Sequence, residues 1–292
     1  MKQILLSGLA MLAASIMPMH ALDAYRLYNN SGEQISFETM IDSLGRAEVV
    51  FIGENHNCPI SHWMELEITK ALHGHWGDRL ILGEEMMEAD NQLILDEYLS
   101  GKISYDRFET EARLWPNYST DYYPVVYYAK DNGIPFVATN VPRRYANAVN
   151  SGGLGVLDNF SEEARSYIAP LPIPFEYDTI AADAKFGIMQ MLSQRTPEEM
   201  RYLAEAQALK DATMGWFIAR NMKPDTRFVH INGTMHSNSG DGIIPYLLHY
   251  RPGTRIATVT SVREDEIDNL DPTYLDMADF YIVVPVDFPT SY

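Results

Sequence analysis

The chain has 292 residues, 46% of them hydrophobic and 21% charged, which is ample for a sizeable core in one large domain or two small ones. Its formal net charge of −18 sets up a field that repels nucleic acid and argues against a DNA or RNA partner. A lone cysteine, Cys58, excludes an internal disulfide.

The N-terminus has the layout of an export signal. Lys2 supplies the positive start, residues 4–17 form an apolar run, and Met19-His20-Ala21 offers a small residue for cleavage. The run is short for a membrane span and Pro18 interrupts it. Residues 1–21 are therefore expected to be a signal peptide and residues 22–292 a single α/β domain. No lipid-attachment cysteine follows the signal, since Cys58 lies far into the chain. The expected location is outside the cytoplasm, in the periplasm or associated with the outer membrane.

Residues 23–41 read as a mixed lead-in of short strand or linker pieces. Val49-Val50-Phe51-Ile52 then forms an apolar, β-branched run that stops at Gly53, and it predicts a buried strand over 48–52. A helix should follow from Pro59, proline being well suited to a first helical turn. Cys58 falls at its start and reads as a small structural residue. The next elements are a strand at 79–82, helices at 88–99, 105–112 and 121–131, a strand at 134–138 and a helix at 143–150. Residues 151–155 are glycine-rich. Residues 156–200 lose strand alternation and carry Pro170, Pro172 and Pro174, so about 151–200 reads as a helical insertion or lid. Thr196-Pro197-Glu198-Glu199 opens a long helix to about residue 221. Strands at 227–231, 256–260 and 280–284 and a helix at 243–250 complete the chain. Strands alternating with helices predict an α/β fold with a mostly parallel sheet flanked by helices on both faces.

Three of these strands end in a glycine followed by chemically capable side chains. They are Gly53-Glu54-Asn55-His56, Gly83-Glu84-Glu85 and Gly233-Thr234-Met235-His236. Sites of open α/β sheets lie beyond the carboxyl ends of strands, so the three junctions should converge. Glu54 with His56 suits acid–base work or ligation of a divalent metal, and His236 should face His56 across the crevice. Neighbouring strand residues face opposite ways, so one of the Glu84/Glu85 pair should point inward. Glu84, nearer the strand end, is the expected one. His62, His73 and His75 read as solvated or structural. Arg143 and Arg144, after the strand at 134–138, suggest either anion binding or an ion pair with Glu84 or Glu85. The segment 115–124 is rich in tyrosine, in a chain that holds 18. Tyr118 and Tyr123 there could stack on a planar ligand, and a tyrosinate can hold ferric haem iron. Tyr127 and Tyr128 read as packing residues.

These pieces together resemble the ChaN-like family of exported haem-binding proteins, within the Tiki/TraB and erythromycin-esterase superfamily. The resemblance rests on Gly53-Glu54-Asn55-His56, Gly83-Glu84-Glu85-Met86, Gln92 with Leu95-Asp96, and Trp115, Tyr118 and Tyr123-Pro124. It also rests on Gly133-Ile134-Pro135 leading to Asn140 and Pro142-Arg143, on Ala206-Gln207 with Asp211 and Met214, and on Gly233, His236 and Gly242-Ile243. It spans about residues 45–260. It implies haem bound at a homodimer interface with a tyrosine on iron, in iron-regulated uptake that could include an outer-membrane system. Tyr118 or Tyr123 would then ligate iron, and Asn140, Arg143 and Arg144 would belong to the cofactor site. The chain departs from the family's lipoprotein pattern in lacking a cysteine after its signal. The wider superfamily also holds hydrolases, which implies the alternative of a periplasmic hydrolase. In it Glu54, His56, Glu84 and His236 would be catalytic residues or ligands of a divalent metal.

Overall fold

The computed structural model describes residues 23–178 and 195–292. The expected signal peptide and part of the expected insertion, residues 179–194, lie outside the described residues. The strands are β1 (Arg26–Asn29), β2 (Val49–Glu54), β3 (Leu80–Glu88), β4 (Phe136–Asn140), β5 (Arg227–Gly233), β6 (Ile256–Glu264) and β7 (Phe280–Pro285). They form one sheet in the order β1-β7-β6-β2-β5-β3-β4. β1 runs antiparallel to β7, and every other pair is parallel. The fold is thus α/β with a mostly parallel sheet.

Two helical layers cover the sheet. On one side lie α1 (Phe37–Leu44), α2 (Pro59–Trp76), α3 (Gln92–Leu99), α4 (Tyr105–Glu111), α5 (Tyr118–Asp121) and α6 (Tyr123–Asn132). Met64, Ile68 and Leu72 of α2 share a core with Val50, Ile52, Leu82 and Val229. On the other side lie α7 (Arg143–Gly152), α8 (Glu162–Arg165), α9 (Pro197–Asn221) and α10 (Ile243–Tyr250). There Met214, Phe217 and Ile218 of α9 pack on Val49, Phe51, Ile81 and Phe228. Each such large apolar side chain contributes roughly 1.5–3 kcal/mol on burial. Double coverage explains why all six residues of β2 are buried. Among the described residues no helix is long and apolar enough to cross a membrane.

Two local departures from the sequence reading have physical causes. The lead-in holds a helix, α1, because Ser36 caps the amide of Thr39 and Met40, Ile41 and Leu44 form one apolar face. β3 does not stop at Gly83 but continues through both glutamates to Glu88, wholly buried between β5 and β4. The long helix starts as read: Thr196 and Glu199 form a capping box, with Pro197 in the first turn.

Candidate functional site

The strand order decides where the polar junctions meet. β2, β5 and β3 are neighbours, so their carboxyl ends lie side by side at the middle of the sheet. In register, Glu54 of β2 is level with Gly233 of β5, and Glu84 of β3 with Ile231. Ile52 is also level with Ile231, so alternation places Glu54 and Glu84 on the α2 side. Glu85 falls on the α9 side.

On the α2 side, Glu54 is the hub, with only 1% of its surface exposed. Its Oε1 is 2.6 Å from His56 Nδ1 and accepts from the Tyr122 hydroxyl at 3.0 Å. Its Oε2 is 2.8 Å from His62 Nδ1, which is also 3.4 Å from Glu65 Oε2. Burial alone would raise the Glu54 pKa, but hydrogen bonds from His56 and His62 and the His62 charge hold it down to about 2. Burial opposes a charge on His62 as well, yet Glu65 and Glu54 push its pKa up to about 11. Glu65, wholly buried beside Glu54, is raised well above the ordinary carboxylate range. His56 stands at the mouth, its side chain 36% exposed and its ring edge-on to Trp115 at 4.9 Å.

On the α9 side, Glu85 Oε2 accepts the Gly233 amide at 2.9 Å, and Glu85 Oε1 lies 3.2 Å from His236 Nε2. The other His236 nitrogen, Nδ1, donates to Asp211 of α9. An imidazole with a carboxylate at each nitrogen must donate twice and is held as imidazolium. Accordingly, burial is outweighed by Glu85 and Asp211, and the His236 pKa rises to about 10. Glu85 is depressed strongly: burial opposes this, but His236, His56 and the Gly233 amide win. His230, three residues before Gly233 on β5, is neutral; burial takes its pKa to about 4 while Thr139 and Asn232 satisfy its nitrogens. The two halves meet at Gly233, where an added Cβ would lie 2.8 Å from His56 Nε2 and 3.5 Å from Glu85 Oε2.

The structure brings Glu54, His56 and His236 to one end of the sheet. The choice of Glu84 as the inward glutamate is corrected. Glu84 turns into the α2-side core, where burial and the Glu54 charge outweigh the Tyr118 hydroxyl and raise its pKa to about 8. The register of β3 against β4 shifts between Glu84 and Glu88, and such an irregularity re-aims side chains near a site. His62, read as solvated or structural, is buried at the centre of the α2 half. Glu65 carried no site signal of its own, because it is one acid within a long helical pattern, and Asp211 entered only through the family resemblance, with no role assigned to it.

The other expected residues are spread more widely. Tyr118 is in the core, 2% exposed, against Glu84. Tyr123 is half-buried, and its hydroxyl pairs with that of Tyr98 at 2.7 Å. Asn140 braces the end of β4, donating to the Glu85 carbonyl at 2.8 Å. Arg143 and Arg144 are exposed at the start of α7 and pair with Glu88 and Asp90, not with Glu84 or Glu85. Arg113 joins both acids from the other side.

With this geometry, residues 40–247 match the model of a family described as haem-binding uptake, Tiki superfamily, ChaN. ChaN of Campylobacter jejuni, for which cofacial haem binding is described, shares the fold with a TM-score of 0.69 at 19% identity. That match covers 89% of this chain and 96% of that one. A mutant erythromycin esterase, EreC, in its open conformation aligns at 11% identity over 89% of this chain and 83% of that one, with a TM-score of 0.47. The chloroplastic protein RETICULATA-RELATED 5 of Arabidopsis thaliana is 26% identical over 189 residues, 61% of this chain. The match spans only 25% of that relative's length.

Proposed function

The chain belongs to the haem-binding uptake family ChaN of the Tiki superfamily, and from that premise we propose that it is an exported haem-binding protein serving haem or iron acquisition. The observation that carries this reading is an aromatic face built by α4 and α6. The rings of Tyr105 and Tyr123 are 4.1 Å apart, and Tyr127 follows Tyr123 at 5.9 Å. Tyr127 is 53% exposed, and its hydroxyl makes no hydrogen bond among the described residues. Flat phenol rings with one free oxygen fit a porphyrin and its ferric iron. Tyr118 does not fit without rearrangement, because its hydroxyl is sealed in the core. Arg143 and Arg144 open α7 in the other helical layer and are paired with Glu88 and Asp90, so this face does not rely on them; a second copy of the chain would cover the other face of the ligand. Residues 1–21 would direct export. In an absorbance titration of the mature protein with hemin, we expect a saturable Soret change. Tyr127→Phe should weaken it most, Tyr123→Phe less, and Tyr118→Phe not at all. A wild-type protein without a saturable change would overturn the assignment.

A second reading, hydrolysis, is favoured by the clamp of Asp211 and Glu85 on His236 beside the Glu54–His56 pair. The clamped His236 fixes Glu85 in the crevice wall, while the imidazole of His56, oriented by Glu54, can move the proton of an attacking water. This reading gives the crevice a task that haem binding leaves undefined. It requires that an ester or amide substrate exist for which His56→Asn and His236→Asn each remove turnover while leaving the hemin titration intact. Unchanged turnover in the double variant would refute it.

A further inference from the structure

We infer that the buried side of the site is a closed binding site for a first-row divalent cation, held by Glu54 Oε2, His62 Nδ1 and Glu65 Oε2. It shares Glu54 with the His56/His236 crevice but takes its other ligands from α2, and it is independent of the haem reading. The three donor atoms lie within 4.8 Å of one another. His62 Nδ1 is 2.8 Å from the Glu54 oxygen and 3.4 Å from the Glu65 oxygen. An ion with bonds of about 2.1 Å sets its ligand atoms roughly 3.0–3.4 Å apart; the 3.4 Å spacing fits that range, and the 2.8 Å spacing, a hydrogen bond without the ion, would have to open by a few tenths of an ångström. One imidazole with two carboxylates suits Zn²⁺, Co²⁺ or Mn²⁺.

Two further observations point to an ion rather than to an ion-pair network alone. The first is a row of unsatisfied oxygens. Glu65 is 0% exposed, and its Oε1 has no hydrogen-bond partner among the described residues. Ser61 Oγ and Thr69 Oγ1, one turn before and one turn after on the same stripe of α2, are equally unsatisfied. Ser61 and Thr69 lie about 12 Å apart along the helix and cannot share one ion, but the orphaned carboxylate oxygen of Glu65 is costly, and a cation held by Glu65 removes that cost. The second is the far side of the imidazole. His62 Nε2 lies 3.2 Å from the His56 carbonyl and 3.4 Å from Asp121 Oδ2. A metal-ligating histidine habitually donates its other nitrogen to a carbonyl or carboxylate in this way. The site also connects to the crevice. Glu54 keeps Oε1 on His56 and Tyr122 while Oε2 faces the ion, so the ion fixes the carboxylate that orients His56.

The test is titration of chelator-treated mature protein with Co²⁺, read by visible absorbance and by thermal unfolding. One equivalent per chain should give a saturable d–d band and raise the Tm. Glu65→Gln and His62→Gln should each weaken Co²⁺ binding by about tenfold or more, and circular dichroism would confirm that both remain folded. His236→Gln should bind Co²⁺ as the wild type does. The inference is overturned if wild type shows no saturable band and no Tm shift. It is equally overturned if His236→Gln abolishes the band and Glu65→Gln does not, which would put the ion in the crevice.

Discussion

Gly242→Ala is expected to destabilise the protein by about 3 kcal/mol or more. Gly242 precedes α10 at φ +64°, a conformation that L side chains rarely adopt. A Cβ there would stand 2.3 Å from the His236 carbonyl oxygen, 2.6 Å from its carbon and 2.9 Å from its Cα. These are backbone atoms and cannot swing aside as a side-chain tip does. The clash must move either α10, which buries Ile243, Ile244 and Leu247, or the turn that presents His236. Moving that turn breaks the contacts of His236 with Glu85 and Asp211. Thermal unfolding gives the check, at about 2–4 °C per kcal/mol for a domain of this size. Gly74→Ala is the control: that glycine is helical, nothing lies within 4 Å of its added Cβ, and its Tm should hold or rise. An unchanged Tm for Gly242→Ala would show that the close approach at His236 does not constrain the fold.

The glycine junctions show what a sequence can reveal about such a site. Glu54, His56 and His236 were legible because each follows an apolar run that a glycine ends, and the sheet had only to place those ends together. The choice between Glu84 and Glu85 was not legible. It depends on β3 continuing past Gly83 and on its register against β4, both set by neighbours distant in the sequence. His62 and Glu65 belong to a helical pattern whose inward face is fixed only by packing, and the polar stripe was hidden among Met64, Ile68 and Leu72. Asp211 sits 25 residues from His236 in sequence and meets it only because α9 crosses the end of β5. The burial of Tyr118 follows from the short turn of α5, too brief to leave a periodic signal. Arg143 and Arg144 did read as an anion-facing pair, but the acids that occupy them, Glu88 and Asp90, lie beyond the segment from which a partner was sought.

Glu85→Gln and Glu84→Gln, neighbouring and chemically identical changes, should have very different consequences. Glu85→Gln leaves a buried imidazolium at His236 with one carboxylate instead of two, and weakens the acceptor for the Gly233 amide. Removing one partner of a buried charge pair costs about 3–5 kcal/mol. The pH window follows from the two shifts. His236 is raised to about 10, so its contribution is complete below its unfolded value near 6.5 and fades as pH climbs toward 10. Glu85 is depressed, so its contribution is present above the ordinary carboxylate value near 4.5 and fades as pH falls below it. The stability difference between wild type and Glu85→Gln should therefore be largest between about pH 4.5 and 6.5. Glu84 has the opposite sign from Glu85. Its pKa is raised to about 8 by burial and by Glu54, so the native state prefers it protonated, and the wild type loses stability as pH rises from about 4.5 through 8. A neutral amide does not suffer that loss. Glu84→Gln should cost within about 1 kcal/mol at pH 6 and should lose less stability than wild type between pH 6 and 9. Urea unfolding of the three proteins at pH 5, 7 and 9 separates the cases. Equal losses for the two variants at pH 5 would mean that the Glu85–His236 charge pair does not carry the expected stability.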